Sequence, residues 1–229
     1  RVFGETEKAS GLLIFGAWGK LRRIWELAAA RKFPHAALGD PPQGAEIGIE
    51  GGQAFYLDTQ AAGRLAAQAF LRRGHKRVAY LGNAGARLTG FREGLDGTAA
   101  VLDEACTVLD RALTAVESER AGYAGATRVL ELAERPSAVF AANDYRALGA
   151  LRACAGRGVR VPEDVALLGV DDTSDGAAAR PPLASLRLPH REAAALACRA
   201  VLRWLAKPGG FKPRMEAVAP KILERESLG

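Results

Sequence analysis

Short, wholly apolar runs alternate along this chain with longer segments that are amphipathic at helical spacing, and no other feature limits its fold as strongly. "GLLIFG" (11–16) reads as a short buried strand. It leads into "KLRRIWELAAARK" (20–32), where Leu21, Ile24, Trp25 and Ala28 share one helix face. "PHAALGD" (34–40) is a second strand, and "PPQGAEIGIEGGQ" is a loop rich in proline and glycine. Asp58 or Thr59 can cap the helix "QAAGRLAAQAFLRR", which stops at Gly74.

The same unit then recurs. "RVAYLG" (77–82) is a strand, and "GFREGLD" begins a helix reaching roughly Cys106. "TVLD" is a short strand, "GYAGATRVLELAER" a helix, "SAVFAA" (137–142) a strand and "DYRALGALRACAGRG" a helix. "DVALLGV" (164–170) is the next strand, "REAAALACRAVLRWLAK" (191–207) the final helix, and "RMEAVAPKILERE" is extended. Strands apolar on both faces, each separated by one helix, demand parallel sheets covered on both sides. At 229 residues this predicts an α/β protein of two doubly wound parallel-sheet subdomains.

Composition narrows the class. No apolar run reaches the length of a membrane span, and the opening "RVFGETEKASG" does not read as a signal peptide. Cys106, Cys154 and Cys198 lie far apart with no CxxC spacing, which fits a reducing cytoplasm rather than a disulfide framework. His35, His75 and His190 are equally isolated, so no zinc site is expected. The net charge of +6 admits nucleic-acid contact, but there is no run of five basic residues. Arginines spread over helix surfaces are the simpler reading.

In doubly wound sheets ligands bind beyond the carboxyl ends of the strands. Four such ends carry informative residues. Trp18 follows "LLIFG", Arg87 lies in "NAGARLTGF", Asn143 and Asp144 follow "AVFAA", and Asp171 and Asp172 follow "VALLGV". An arginine, an amide and a carboxylate offer the donors and acceptors that vicinal hydroxyls need, and a tryptophan suits the apolar face of a sugar ring. Each has a plainer alternative. Asn143-Asp144 can be a helix N-cap, Arg87 a surface arginine and Trp18 a core residue. Consecutive strand residues point to opposite faces, so Asp171 and Asp172 do not form a catalytic pair. One contact and one loop brace is the economical reading. No acid–base pair, metal set or nucleophile–base arrangement is found, so neither enzyme activity nor a cofactor is expected.

The stretches "AAGRLAAQAFLRRGHKRVAYLG", "RLTGFREGL", "PSAVFAANDYRALGALRACAGRGVRVPEDVALLGVDDT" and "RPPLASLRLP", with the ending "ILERES", resemble the effector-binding domain of the lactose-repressor (LacI/GalR) family of transcription regulators. The resemblance runs in family order from about residue 57 to 189. It implies a periplasmic-binding-protein-like fold with a small molecule, a sugar or derivative, held in a cleft between two subdomains. One subdomain would hold 1–56 plus 186–207, the other 57–185 plus 208–229. It further implies that Arg87, Asn143 and Asp171 match family ligand positions. Glu117 stands near a position where many members carry a cleft aromatic, a role left to Trp18 here. Members are typically cytoplasmic homodimers that reach operator DNA through a helix-turn-helix domain. That domain, together with the family's first strand, first helix and second strand, is expected ahead of "GLLIFG" and is not among these residues. The alternatives are a transport-type sugar-binding protein of the same fold, or the sensor of an AraC-type regulator.

Overall fold

The computed structural model describes residues 10–16, 18–39, 52–207, 212 and 214–229, so nearly all of the proline- and glycine-rich loop lies outside the described residues. The chain begins with β1 (Leu12–Phe15), α1 (Trp18–Ala30), β2 (His35–Leu38), β3 (Gln53–Leu57), α2 (Thr59–Arg72), β4 (Val78–Gly82) and α3 (Ala86–Leu95). It continues with β5 (Thr107–Leu109), α4 (Ala115–Leu130), β6 (Ala138–Ala141), α5 (Asp144–Gly156) and β7 (Ala166–Val170). The last elements are α6 (Ser174–Ala178), β8 (Ala184–Arg187), α7 (His190–Ala206), β9 (Arg214–Val218), β10 (Lys221–Leu223) and a 3-10 turn at Glu226–Leu228. The apolar runs named above form strands and the amphipathic segments form helices, and the strands make two separate sheets.

The first unit comprises Arg1–Asp58 and Pro189–Ala219. Its sheet has the order β1-β2-β3-β9, all parallel, and α7 packs against β1, β2 and β3. Ile14, Trp25, Ala37 and Ala54 form its core. Three expectations are corrected here. Among the described residues β1 is an edge strand, and of its four residues only Ile14 is buried, with Phe15 71% exposed. The extended tail also divides: β9 pairs with β3 from Gln53↔Arg214 to Leu57↔Val218, and only residues from Pro220 onward join the second unit. β8, ending at Arg187, belongs wholly to the second sheet.

The second unit comprises Thr59–Leu188 and Pro220–Gly229. Its sheet runs β10-β8-β7-β6-β4-β5, parallel throughout except that β10 is antiparallel to β8. The chain passes from β4 outward to β5, then crosses to β6 on the other side of β4. The carboxyl ends of β4 and β6 thus flank a topological switch point, where open parallel sheets leave a crevice. Strand alternation divides the core between the two faces. Tyr80 and Phe140 meet Phe91 on one face, at ring-centroid distances of 6.4 and 5.1 Å, and Phe91 meets Phe70 at 6.1 Å. On the other, Ala79, Leu81, Val139, Ala141 and Leu167 pack with Ala126, Val129, Ala147, Ala150 and Leu151.

The helices on each face cross at backbone contact. A Cβ on Gly63 would lie 2.1 Å from the Arg87 carbonyl oxygen, and one on Gly90 would lie 1.9 Å from that of Gln60. Across the sheet, Gly122 and Gly149 bring α4 and α5 together in the same way, with clashes at 2.0 Å against the Arg146 and Glu119 carbonyls. These crossings fix the first turns of α3 and α5, which carry Arg87 and follow Asn143. Two helix ends differ from expectation. α3 ends at Leu95 rather than near Cys106, because the chain turns at Asp96 into Gly97, whose φ is +68°. α4 begins at Ala115, seven residues before "GYAGA", because Thr114 and Glu117 form a capping box.

Gly90→Ala forces α2 and α3 apart or displaces backbone, so a loss of about 1–3 kcal/mol is expected, typical of overpacking. Chemical denaturation of the two proteins measures it.

Candidate ligand-binding site

Three loops of the second unit leave the carboxyl ends of β4, β6 and β7, and each delivers one of the expected residues. Beyond β4, buried Tyr80 donates from its hydroxyl to the Asn83 carbonyl oxygen at 2.9 Å, pinning the turn into α3. Burial pushes the Tyr80 phenol up to about 12, so it remains a neutral donor. Arg87 follows in the first turn of α3, with its side chain 25% exposed. Its Nε is buried and has no hydrogen-bond partner among the described residues.

Beyond β6, Asn143 is the N-cap of α5: its Oδ1 accepts from the Arg146 N–H at 2.9 Å. Its Nδ2 donates to Ser118 Oγ at 3.3 Å, which sets the amide in one orientation. Ser118 Oγ also accepts from Arg146 Nη1 at 3.3 Å. Arg146 is buried and reaches the carboxyl end of β5, where Nε donates to Asp110 Oδ2 at 2.9 Å and Nη2 pairs with Oδ1. Burial alone would raise the Asp110 carboxyl. The Arg146 hydrogen bonds, the Ala112 N–H and the Arg146 charge outweigh it and hold it below the usual range.

Beyond β7, Asp171 Oδ1 lies 4.0 Å from Arg87 Nη2. That is too long for a direct hydrogen bond, yet a single hydroxyl donating to the carboxylate and accepting from the guanidinium can bridge it. Asp172 points away and is gripped by Arg225 and Arg187. Asp144 is fully buried beneath both loops. Its Oδ2 accepts from the Thr173 N–H at 2.6 Å and Thr173 Oγ1 at 3.1 Å, and its Oδ1 accepts from Ser185 Oγ at 2.7 Å. Burial raises the Asp144 carboxyl above the usual range despite these three donors.

The structure therefore brings Arg87 and Asp171 face to face and builds Asn143 into the edge of the same strand-end surface. Glu117 is committed elsewhere: its Oε2 accepts from the Leu113 and Thr114 N–H groups at 3.0 and 3.1 Å, closing the α4 capping box. Trp18 opens α1 of the first unit, and its side chain lies outside the described residues. Sequence reasoning missed Ser118, Arg146, Asp110, Ser185 and Arg225, and it named Asp144 only as a strand-end or capping residue.

Asp110→Asn leaves the buried Arg146 cation without its counter-ion, and a loss of about 3 kcal/mol in urea unfolding is expected. The pH dependence follows from the lowered Asp110 and Asp172 carboxyls. Below the ordinary 3.8 the unfolded chain binds more protons than the folded one. Their stabilisation is complete above that pH and fades as pH falls through the lower folded values. In Asp110→Asn the Asp110 share of this acid sensitivity disappears.

The profile of the periplasmic binding protein-like domain family matches residues 67–228. The regulator CelR of Thermobifida fusca, described as HTH-type, is 36% identical over 154 residues, covering 64% of this chain and 44% of that protein. The HTH-type repressor PurR of Vibrio atlanticus is 29% identical over 177 residues, covering 75% and 51%. The chain thus spans about half the length of these curated relatives. The solved complex of the transcriptional regulator CelR with cellobiose superimposes on 97% of this chain and 67% of that one, with a TM-score of 0.78 at 26% identity. Its relatives are transcriptional regulators, and the chain itself belongs to the periplasmic binding protein-like domain family in the form that LacI-type regulators carry.

Proposed function

We propose that this chain is the effector-sensing part of a LacI-type transcriptional regulator and that it takes a small polar molecule, a sugar or derivative, at the strand-end surface of its second unit. The observation that carries this reading is the Arg87–Asp171 pair, held 4.0 Å apart with the buried Arg87 Nε unpartnered among the described residues. One ligand hydroxyl can donate to the Asp171 carboxylate and accept from Arg87 Nη2 at once. Asn143 adds an amide whose orientation is already set. The cellobiose held by the CelR relative supports the sugar class.

In this reading the chain transforms no substrate. It works in the cytoplasm as a homodimer and touches operator DNA only through a helix-turn-helix domain outside these residues. The effector regulates because it binds one arrangement of the protein more tightly than another, and that difference bounds the change in DNA affinity. Among the described residues no helix is long and apolar enough to cross a membrane.

Isothermal titration with cellobiose, followed by a panel of mono- and disaccharides, tests the assignment. Arg87→Ala and Asp171→Ala each remove a charge-assisted hydrogen bond worth about 1.5–3 kcal/mol, so roughly ten- to hundredfold weaker binding is expected. A sugar whose affinity ignores both substitutions sinks the site.

A further inference from the structure

Two consecutive non-glycine residues at the mouth of this site, Asp171 and Asp172, have φ values of +105° and +54°. L-residues with side chains seldom adopt that region, and such conformations persist only where their surroundings over-determine them. The surroundings here are specific. The Asp171 N–H donates to the Leu186 carbonyl at 3.0 Å and the Asp172 N–H to Ser185 Oγ at 2.9 Å. The Asp172 carboxylate then receives Arg225 Nη2 at 2.5 Å on Oδ1, with Arg187 Nε at 2.7 Å on Oδ2. Arg187 is 54% exposed, whereas Arg225 is 22% exposed, so solvent weakens the Arg187 pair more.

Arg225 reaches Asp172 from 53 residues away and is itself anchored. Its Nη1 donates to the Leu183 carbonyl at 2.7 Å. Two residues on, Ser227 Oγ donates to the Leu167 carbonyl and accepts from the Ala184 N–H, both at 2.8 Å, while Leu228 is buried. The tail is thus fastened to β7 and β8, the two strands that frame the Asp171 loop. Burial would raise the Asp172 carboxyl, but the two arginines outweigh it and keep it ionised.

We propose that Arg225 is a positioning residue for the effector site: by gripping Asp172 it holds the backbone conformation that presents the Asp171 carboxylate to a ligand. The proposal rests on the effector-site reading above. It assigns the C-terminal tail a part in recognition without contact to the ligand.

The test uses the 229-residue chain with Arg225→Gln, Arg225→Lys, Asp171→Asn and the Asp171→Asn/Arg225→Gln double variant, with cellobiose as the probe in calorimetric titration. Arg225→Gln is expected to weaken binding about tenfold, the scale of one charged hydrogen bond. Arg225→Lys, which keeps the charge and loses the fork, recovers part of it. On the Asp171→Asn background Arg225→Gln adds nothing further, as a residue acting through Asp171 requires. Equal weakening on both backgrounds, or wild-type affinity in Arg225→Gln, overturns the proposal. Should Arg225→Gln fail to fold, Arg225→Lys carries the same comparisons. Amide exchange in the sugar-free chain decides the brace independently. The Asp172 N–H is expected to lose protection in Arg225→Gln and to keep it in Asp171→Asn, and an unchanged Asp172 amide in Arg225→Gln overturns the brace. A wild-type chain that binds no sugar instead overturns the effector reading, and the amide result still stands on its own.

Discussion

Asp144 has no solvent exposure, and a carboxylate in that position requires donors from elsewhere in the chain to offset its lost hydration. Three converge on it, from the loop after β7 and from β8. Through Ser185, whose hydroxyl donates to Asp144 and accepts from the Asp172 N–H, one buried carboxyl group fixes the start of α5 and the turn after β7 together. The start of α5, the turn after β7 and β8 are therefore one hydrogen-bonded assembly rather than independent pieces. Its rigidity matters because a ligand group held in place beforehand loses less freedom on binding.

Charge is distributed on the same principle. Arg146 is matched by Asp110, and Asp172 by Arg225 and Arg187, each at close range. Other arginines of the second unit pair with carboxylates as well, among them Arg64 with Glu93, Arg152 with Glu119 and Arg160 with Asp164. Much of the basic side-chain content thus ties helix to helix or loop to strand. Arg87 and Asp171 stand farther apart than these pairs, at 4.0 Å.

The sequence made the sheets legible because a strand buried on both faces must be apolar throughout, and it made the loops worth reading because ligands gather at strand ends. It could not show the braces. Arg146 and Asp110 are 36 residues apart, Asp144 and Ser185 are 41 apart, and Asp172 and Arg225 are 53 apart. No local spacing records such pairs. The helix ends were a different matter. Thr114 and Glu117 stand in the capping-box pattern and were readable, but the exposed Val116 between them breaks the apolar periodicity that locates a helix. β1 misled for the opposite reason: its composition is that of a strand buried on both faces, while only the face carrying Ile14 is buried and the face carrying Leu13 and Phe15 is exposed.

Asn143 shows why cap and contact are not rival readings. As the cap of α5 its Oδ1 accepts one backbone hydrogen bond, and its Nδ2 gives one hydrogen to Ser118. A primary amide has four hydrogen-bonding places, two on each atom, so capping leaves an acceptor lone pair and a donor hydrogen unused by these two bonds. An unrestrained amide can also exchange its oxygen and nitrogen by a half-turn and accept either pattern from a ligand. Capping removes that freedom, because reversal would set an NH₂ against the Arg146 N–H. The helix start thereby fixes which side of Asn143 donates and which accepts, so in the proposed reading the bond that caps α5 also sets the pattern Asn143 offers to a ligand.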